Sequence, residues 1–163
     1  MNIIESTKLH YPICYMLIGC PGAGKTTWVL KNHPELGHAS TDKYIDQFAA
    51  EQGISYNDAF MPNIKEATSR MIDDVQNFQF MEQDFVWDQT NMSKKSRANK
   101  IKNLVGYRVI AVLFETPEVE ELQKRLASRP GKTIPKYVLE SMIASYEVPT
   151  LDEGFYKIMI AEK

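Results

Sequence analysis

Apolar and polar positions along the chain switch repeatedly between two periods. Ile13-Cys14-Tyr15-Met16-Leu17-Ile18 is a short unbroken apolar run that stops at Gly19, the pattern of a strand buried on both faces. Lys25 to about His33 is predicted as a helix, ended by Pro34. His38-Ala39-Ser40 is a weak strand candidate, and Asp42 to about Gln52 reads as a helix closed by Gly53. Asn57 to about Met81 is helical, with Pro62 marking a candidate break. Asp84-Phe85-Val86-Trp87-Asp88 is a strand, and Ser93 caps a helix that runs to about Leu104. Tyr107 to Phe114 is the clearest strand. Thr116-Pro117 then reads as a cap with proline at the first helical position, opening a helix to about Ser128. Ile134-Pro135 opens a last helix to about Tyr146, and Phe155 to Ile160 is a final strand.

Strand and helix in alternation predict right-handed crossovers and a parallel sheet with helices on both faces. Ligands in such sheets bind beyond the carboxyl ends of the strands, so the loop after the first strand is the first place to look for chemistry. No repeat, low-complexity segment or linker interrupts the pattern.

Composition changes this picture little. The 163 residues are 44% hydrophobic and 25% charged, the balance of one ordinary globular domain spanning residues 1–163. No apolar run is long enough to cross a bilayer, and Met1 to His10 carries Glu5 and Lys8 with no leader-like apolar stretch, so a cytoplasmic protein without a membrane partner is expected. The two cysteines, Cys14 and Cys20, flank one strand and are expected reduced. A net charge of −2 argues against coating nucleic acid by bulk electrostatics but leaves a local grip on a few phosphates open.

The chemistry begins at Gly19-Cys20-Pro21-Gly22-Ala23-Gly24-Lys25-Thr26-Thr27, which satisfies G-x-x-x-x-G-K-[ST] in full. Glycines open dihedrals closed to other residues, so successive N–H groups can point inward at an anion, and the helix that starts here adds its dipole. Lys25 is placed to reach the β- and γ-phosphates, and the Thr26 hydroxyl to ligate Mg²⁺. Gly19, Pro21, Gly22, Ala23, Gly24, Lys25, Thr26 and Thr27 are therefore the candidate nucleotide-binding set, with ATP and Mg²⁺ the expected ligands. The glycine spacing is neither that of a dinucleotide site nor that of a protein kinase. No N-K-x-D run specifies guanine, and no histidine cluster or C-x-x-C pair suggests zinc. Cys20, near a helix N-terminus and Lys25, is either a thiol of lowered pKa or a neutral loop position.

Two carboxylates stand at strand ends. Asp88 closes Phe85-Val86-Trp87 and is a candidate Mg²⁺ carboxylate opposite Thr26, or else an Asp capping a turn before Asn91. Asp42 follows the weak second strand, where it would accept a proton from an attacking hydroxyl or cap a helix; Thr41 is the alternative cap. Basic residues gather late: Lys124, Arg125, Arg129, Lys132 and Lys136 surround Pro130-Gly131, as on a lid that neutralises a transferred phosphoryl group, or as cations at a helix C-terminus. A second basic stretch, Lys94-Lys95-Ser96-Arg97 with Lys100 and Lys102, reads as a solvated helix face or a contact to a phosphodiester backbone.

Taken together, these residues resemble the kinase domain of polynucleotide 5′-kinases, within the small P-loop kinases. The likeness covers nearly the whole chain. It rests on Gly19 to Trp28, on Asp42 with Tyr44, on Asp88-Gln89-Thr90-Asn91, on Arg125 and Arg129 before Ile134-Pro135, and on Tyr146-Glu147-Val148-Pro149-Thr150-Leu151-Asp152-Glu153-Gly154-Phe155. The resemblance implies an α/β three-layer sandwich with a central parallel five-stranded sheet and an Arg-bearing lid at about residues 129–134. It implies catalytic roles for Asp42 as base, Lys25, and Arg129, the last with Arg125 on the donor phosphates. It also implies Thr26 and Asp88 at the metal, Thr90 and Asn91 toward the substrate, and a nucleic-acid 5′-hydroxyl as acceptor. Where such kinases often carry an arginine three residues after the base, this chain has Ile45. The same residues leave open another acceptor, such as a nucleoside, a hydroxymethylated base or a sugar, or a module that binds ATP without transfer.

Overall fold

The computed structural model describes residues 10–162, so all of the reading of Met1 to His10 except His10 falls outside the described residues. Five strands form one parallel sheet: β1 (Ile13–Ile18), β2 (Gly37–Ala39), β3 (Phe85–Trp87), β4 (Arg108–Leu113) and β5 (Lys157–Ile160), in the order β2-β3-β1-β4-β5. β1 lies at the centre, which explains its unbroken apolar run: both faces are covered. Cys14, Met16 and Ile18 point to one face, where they pack with Phe85, Trp87, Val109 and Ala111 against Met71 and Val75. Leu17 points to the other, with Val86, Ile110 and Val112 against Trp28 and Val29.

Six helices supply these partners: α1 (Lys25–Asn32), α2 (Thr41–Gln52), α3 (Tyr56–Phe80), α4 (Lys94–Ile101), α5 (Val119–Ala127) and α6 (Lys136–Ala144). α1 covers one face of the sheet through Trp28 and Val29, and α3 covers the other. α2 and α3 pack on each other through Ile45, Phe48, Ala49, Ala59 and Ala67. α5 and α6 seal the loop after β1, where Leu122, Leu126 and Leu139 close over Cys20.

Three local expectations are corrected. α3 runs through Pro62 without a break. Pro62 is exposed, so water can satisfy the carbonyl that its ring leaves without a donor, while burial of Ala59, Ala67, Met71 and Val75 holds the helix against its neighbours. Thr116-Pro117 does not open α5; Glu118 is its cap, and Thr116 and Pro117 line a groove beside Arg125. Asp84 is not in β3 but ties the start of β1, its Oδ1 accepting from Ile13 N at 2.8 Å.

Candidate active site

β1 sits where the chain order reverses, with β3 on one side and β4 on the other, so a crevice opens at their carboxyl ends. The loop Gly19–Gly24 fills it. Gly22 and Gly24 have φ of +80° and +97°, conformations that side-chain-bearing residues rarely adopt. The loop is pinned to the segment after β3 by Gly19 N donating to Thr90 O at 3.0 Å. Lys25 folds back over it, its Nζ donating to Gly19 O at 3.0 Å and Cys20 O at 2.9 Å. Burial pushes this ammonium below its ordinary pKa, against the opposing pull of Asp88, Cys20 and Asp42.

Thr26, at the second position of α1, aims its hydroxyl at Asp88 at the end of β3; Oγ1 and Oδ2 are 3.4 Å apart. The same Oδ2 lies 2.9 Å from His38 Nε2, on β2. Asp88 is thus buried yet polar-lined rather than a surface turn cap. Among the described residues no group of three or more His, Cys, Asp or Glu is arranged to hold a metal. A Thr–Asp pair nonetheless suits Mg²⁺, which takes one or two protein oxygens and completes its shell with substrate phosphates and water.

Asp42 stands in the first turn of α2, one residue inside the helix. Neither Ser40 nor Thr41 caps that helix through its side chain: Ser40 holds the cap position without a side-chain bond, and Thr41 is the first helical residue. The Asp42 carboxylate faces the cleft instead. Its Oδ1 accepts from Tyr56 OH at 2.7 Å and its Oδ2 from Lys132 Nζ at 2.8 Å. Burial alone would raise this carboxyl's pKa; the Lys132 ammonium, the two donated bonds and Lys25 outweigh it and hold it below the usual carboxylate range. Burial and then Asp42 push the Tyr56 phenol upward, so it remains a donor.

These groups line one cleft of about 460 Å³. Lys25, Thr26, Asp42, Asp88 and Arg129 meet there, and it is also lined by Tyr56 and Phe60 of α3 and by Ile134, Val138 and Met142, from α6 and the segment before it. Arg129 also lines a second groove beyond the loop, with Trp28, Phe114, Thr116 and Ala161. Arg125 lies in that groove, its Nη1 donating to Gly22 O at 3.1 Å and its Nε to Glu121 at 3.0 Å. The basic segment 129–134 closes on the start of α3: Asn57 N donates to Gly131 O at 2.9 Å, and Asn57 Nδ2 to Thr133 Oγ1 at 2.7 Å.

Thr90 lines the cleft, but Asn91 does not. Asn91 is buried at 1% exposure, donating to Leu17 O at 2.7 Å and accepting from Lys100, so its role is to brace the loop after β3. The basic stretch from Lys94 to Lys102 divides: Lys94, Lys95 and Lys102 are exposed, as on a solvated face, whereas Arg97 and Lys100 are not. Arg97 is wholly buried, paired with Glu153 and donating to Asn91 O and Met92 O, each at 3.0 Å. Lys100 is buried enough that its pKa falls to about 8. Neither is a solvated or backbone-binding cation. Cys20 has no thiolate character: burial raises its pKa beyond what Lys25 offsets. Three site residues escaped the sequence reading. His38 carries no spacing signal, Tyr56 reads as a helix start, and Lys132 is one cation in a cluster until the fold brings it to Asp42.

The five-stranded parallel sheet and the switch-point loop define a P-loop phosphotransferase fold of the small-kinase type. A family model described as an AAA domain matches residues 15–149, and the chain belongs to that family. Among solved structures, a candidate kinase from Chloroflexus aurantiacus superposes with a TM-score of 0.70 at 18% identity, covering 93% of this chain and 88% of that one. A gluconokinase from Sinorhizobium meliloti shares the fold with a TM-score of 0.52 at 13% identity, over 94% and 85% of the two chains. A chain in the Pnkp1/Rnl/Hen1 RNA repair complex is 25% identical with a TM-score of 0.67; the match covers 86% of this chain but only 46% of that one. This chain thus matches less than half of that RNA repair protein.

Proposed function

We propose that the protein transfers the γ-phosphate of ATP to a hydroxyl at a polynucleotide 5′ end. The observation that carries this reading is the convergence of Lys25, the Thr26–Asp88 pair, Asp42 and Arg129 on one cleft. The loop N–H groups and Lys25 bind the donor phosphates, and the second groove beside Trp28 and Arg125 takes the rest of the nucleotide. Thr26 and Asp88 would hold Mg²⁺, which would supply charge neutralisation on the phosphates. Lys25 and Arg129 stabilise the charge that develops on the equatorial oxygens. Asp42 accepts the acceptor's proton.

Two features support a nucleic-acid acceptor. Tyr56 and Phe60, with ring centroids 6.0 Å apart, give the acceptor wall an aromatic surface on which a base can stack. The 25% identity to a chain of an RNA repair complex points the same way. One observation favours a second reading, an acceptor without a neighbouring phosphate, such as a nucleoside. Ile45 is fully buried among α2 and α3 residues, so no cation stands one turn after Asp42 to hold such a phosphate.

The test is transfer of labelled phosphate from ATP to 5′-hydroxyl oligonucleotides and, in parallel, to nucleosides. Transfer to the oligonucleotide that falls by about 10²–10⁴ in Asp42→Ala supports the proposal. No transfer by the wild type, or full transfer by Asp42→Ala, overturns it; transfer to nucleosides alone establishes the second reading.

A further inference from the structure

Both oxygens of Asp42 accept a hydrogen bond, and the two donors differ in kind. Tyr56 belongs to the start of α3 and is fixed by its helix. Lys132 belongs to the lid, three residues beyond Arg129. It reaches Asp42 Oδ2 at 2.8 Å with its Nζ 4.1 Å from the centre of the Tyr56 ring. The lid segment that carries it is fastened by Asn57 on either side, to Gly131 O and to Thr133. Lys132 thus occupies the one place that an acceptor hydroxyl needs, while standing in the same cleft as Lys25, Thr26 and Arg129.

A carboxylate paired with an ammonium is a poor base, because the pair stabilises its ionised form. Water entering an empty acceptor site meets Asp42 in that state, so the donor phosphate is protected from hydrolysis. The pair is also exchangeable. The Asp42 side chain is about half exposed, at 53%, and the Lys132 side chain 18%, so solvent reaches the pair through Asp42 and weakens it.

We propose that Lys132 is a positioning residue that senses the acceptor: it holds Asp42 Oδ2 until an acceptor hydroxyl takes that oxygen and displaces the ammonium. The inference rests on the reading of Asp42 as the base. In the reaction the hydroxyl O–H bond breaks and its proton passes to Asp42 Oδ2. A bond forms from the acceptor's hydroxyl oxygen to the γ-phosphorus. The bond from phosphorus to the β–γ bridging oxygen breaks, its electron pair staying on the ADP.

The experiment measures ATP hydrolysis without any acceptor, which makes it independent of the acceptor's identity. Lys132→Met is expected to raise acceptor-free hydrolysis by about tenfold, a fraction of what a freed general base can contribute, and to lower transfer to the 5′-hydroxyl oligonucleotide. Lys132→Arg, which keeps the charge, holds hydrolysis near the wild-type rate. Asn57→Ala, which removes the two side-chain bonds with Thr133 but keeps the backbone bond to Gly131 O and leaves Lys132 and Asp42 in place, loosens the segment, raises hydrolysis in the same direction and covers the case in which Lys132→Met does not fold. Adding Asp42→Asn to Lys132→Met returns hydrolysis to the wild-type level. Hydrolysis that does not rise in either Lys132→Met or Asn57→Ala overturns the proposal, as does a rise that survives Asp42→Asn. Failure of the underlying reading is seen separately, as wild-type transfer by the single variant Asp42→Asn.

Discussion

His38 is bonded to Asp88: Nε2 of the one lies 2.9 Å from Oδ2 of the other, across the β2–β3 edge of the sheet. Asp88 Oδ2 is also the oxygen that faces Thr26, so the imidazole fixes the orientation of the carboxylate proposed to hold Mg²⁺. Groups that orient a metal ligand matter nearly as much as the ligand. His38→Ala is therefore expected to raise the Mg²⁺ concentration for half-maximal ATP turnover by about tenfold, with little change in turnover at saturating Mg²⁺. A magnesium titration at fixed ATP measures this, and an unchanged midpoint would show that Asp88 is held without His38.

The Lys132–Asp42 pair makes a prediction about stability as well as activity. The folded-state pKa of Asp42 lies below its unfolded value, chiefly because Lys132 and the bonds from Lys132 and Tyr56 overcome the effect of burial. A carboxyl depressed in this way stabilises the fold above the unfolded carboxylate pKa of about 3.9 and loses that contribution as pH falls through the folded value. Lys132→Met is thus expected to melt below the wild type at pH 7, and the gap is expected to narrow as pH drops below about 4. Thermal melts at the two pH values decide it. A gap that is the same at both would mean that the pair contributes nothing through charge.

What the sequence disclosed follows from how local each signal is. The phosphate loop is contiguous, and its strand and helix context lies within a dozen residues, so Gly19 to Thr27 could be read in full. Asp42 and Asp88 could be singled out as candidates because Asp42 follows a short strand candidate and Asp88 ends an apolar run, and strand ends in a parallel sheet are where ligands sit. His38, Tyr56 and Lys132 act through partners 50, 14 and 90 residues away, and no spacing rule links such positions. Arg97 and Lys100 were misread for the same reason. A run of cations looks solvated until Glu153, 56 residues on, turns out to be the buried partner of Arg97. Pro62 and Thr116 show the converse error, a local rule overridden by packing and by the shape of a groove.

The Arg97–Glu153 pair carries its own prediction. Nε and Nη2 of Arg97 reach the two carboxylate oxygens at 2.8 and 3.2 Å, and the guanidinium is fully buried beneath the loop that carries Asp88 to Met92. Removing one partner of such a pair leaves an uncompensated buried charge. Glu153→Gln is expected to cost about 3–5 kcal/mol, read from urea unfolding. Arg97→Met, which removes the buried charge itself, is expected to cost less at this contact, although Asn91 O and Met92 O then lose their donor. Equal losses in the two variants would argue that packing, and not the stranded charge, sets the cost.

Gly131 is the hinge of the lid contact, and only glycine fits there. Its φ is +70°, and a Cβ would stand 2.9 Å from Ser55 Cβ at the cap of α3. Both penalties apply only while the lid is docked, since an undocked loop can relax its backbone and move from Ser55. Gly131→Ala is therefore expected to destabilise the docked lid by about 1–2 kcal/mol and to leave the rest of the fold nearly as stable. The reporter is the amide of Asn57, which donates to Gly131 O at 2.9 Å. Its hydrogen exchange should speed by about 5- to 30-fold, the same free energy expressed as a population of open lid, while core amides on β1 and β4 exchange as before. If Asn57 kept its wild-type exchange rate, the docked lid would be indifferent to both the strain and the close approach, and the contact that presents Lys132 to Asp42 would have to be held by Thr133 and Asn57 alone.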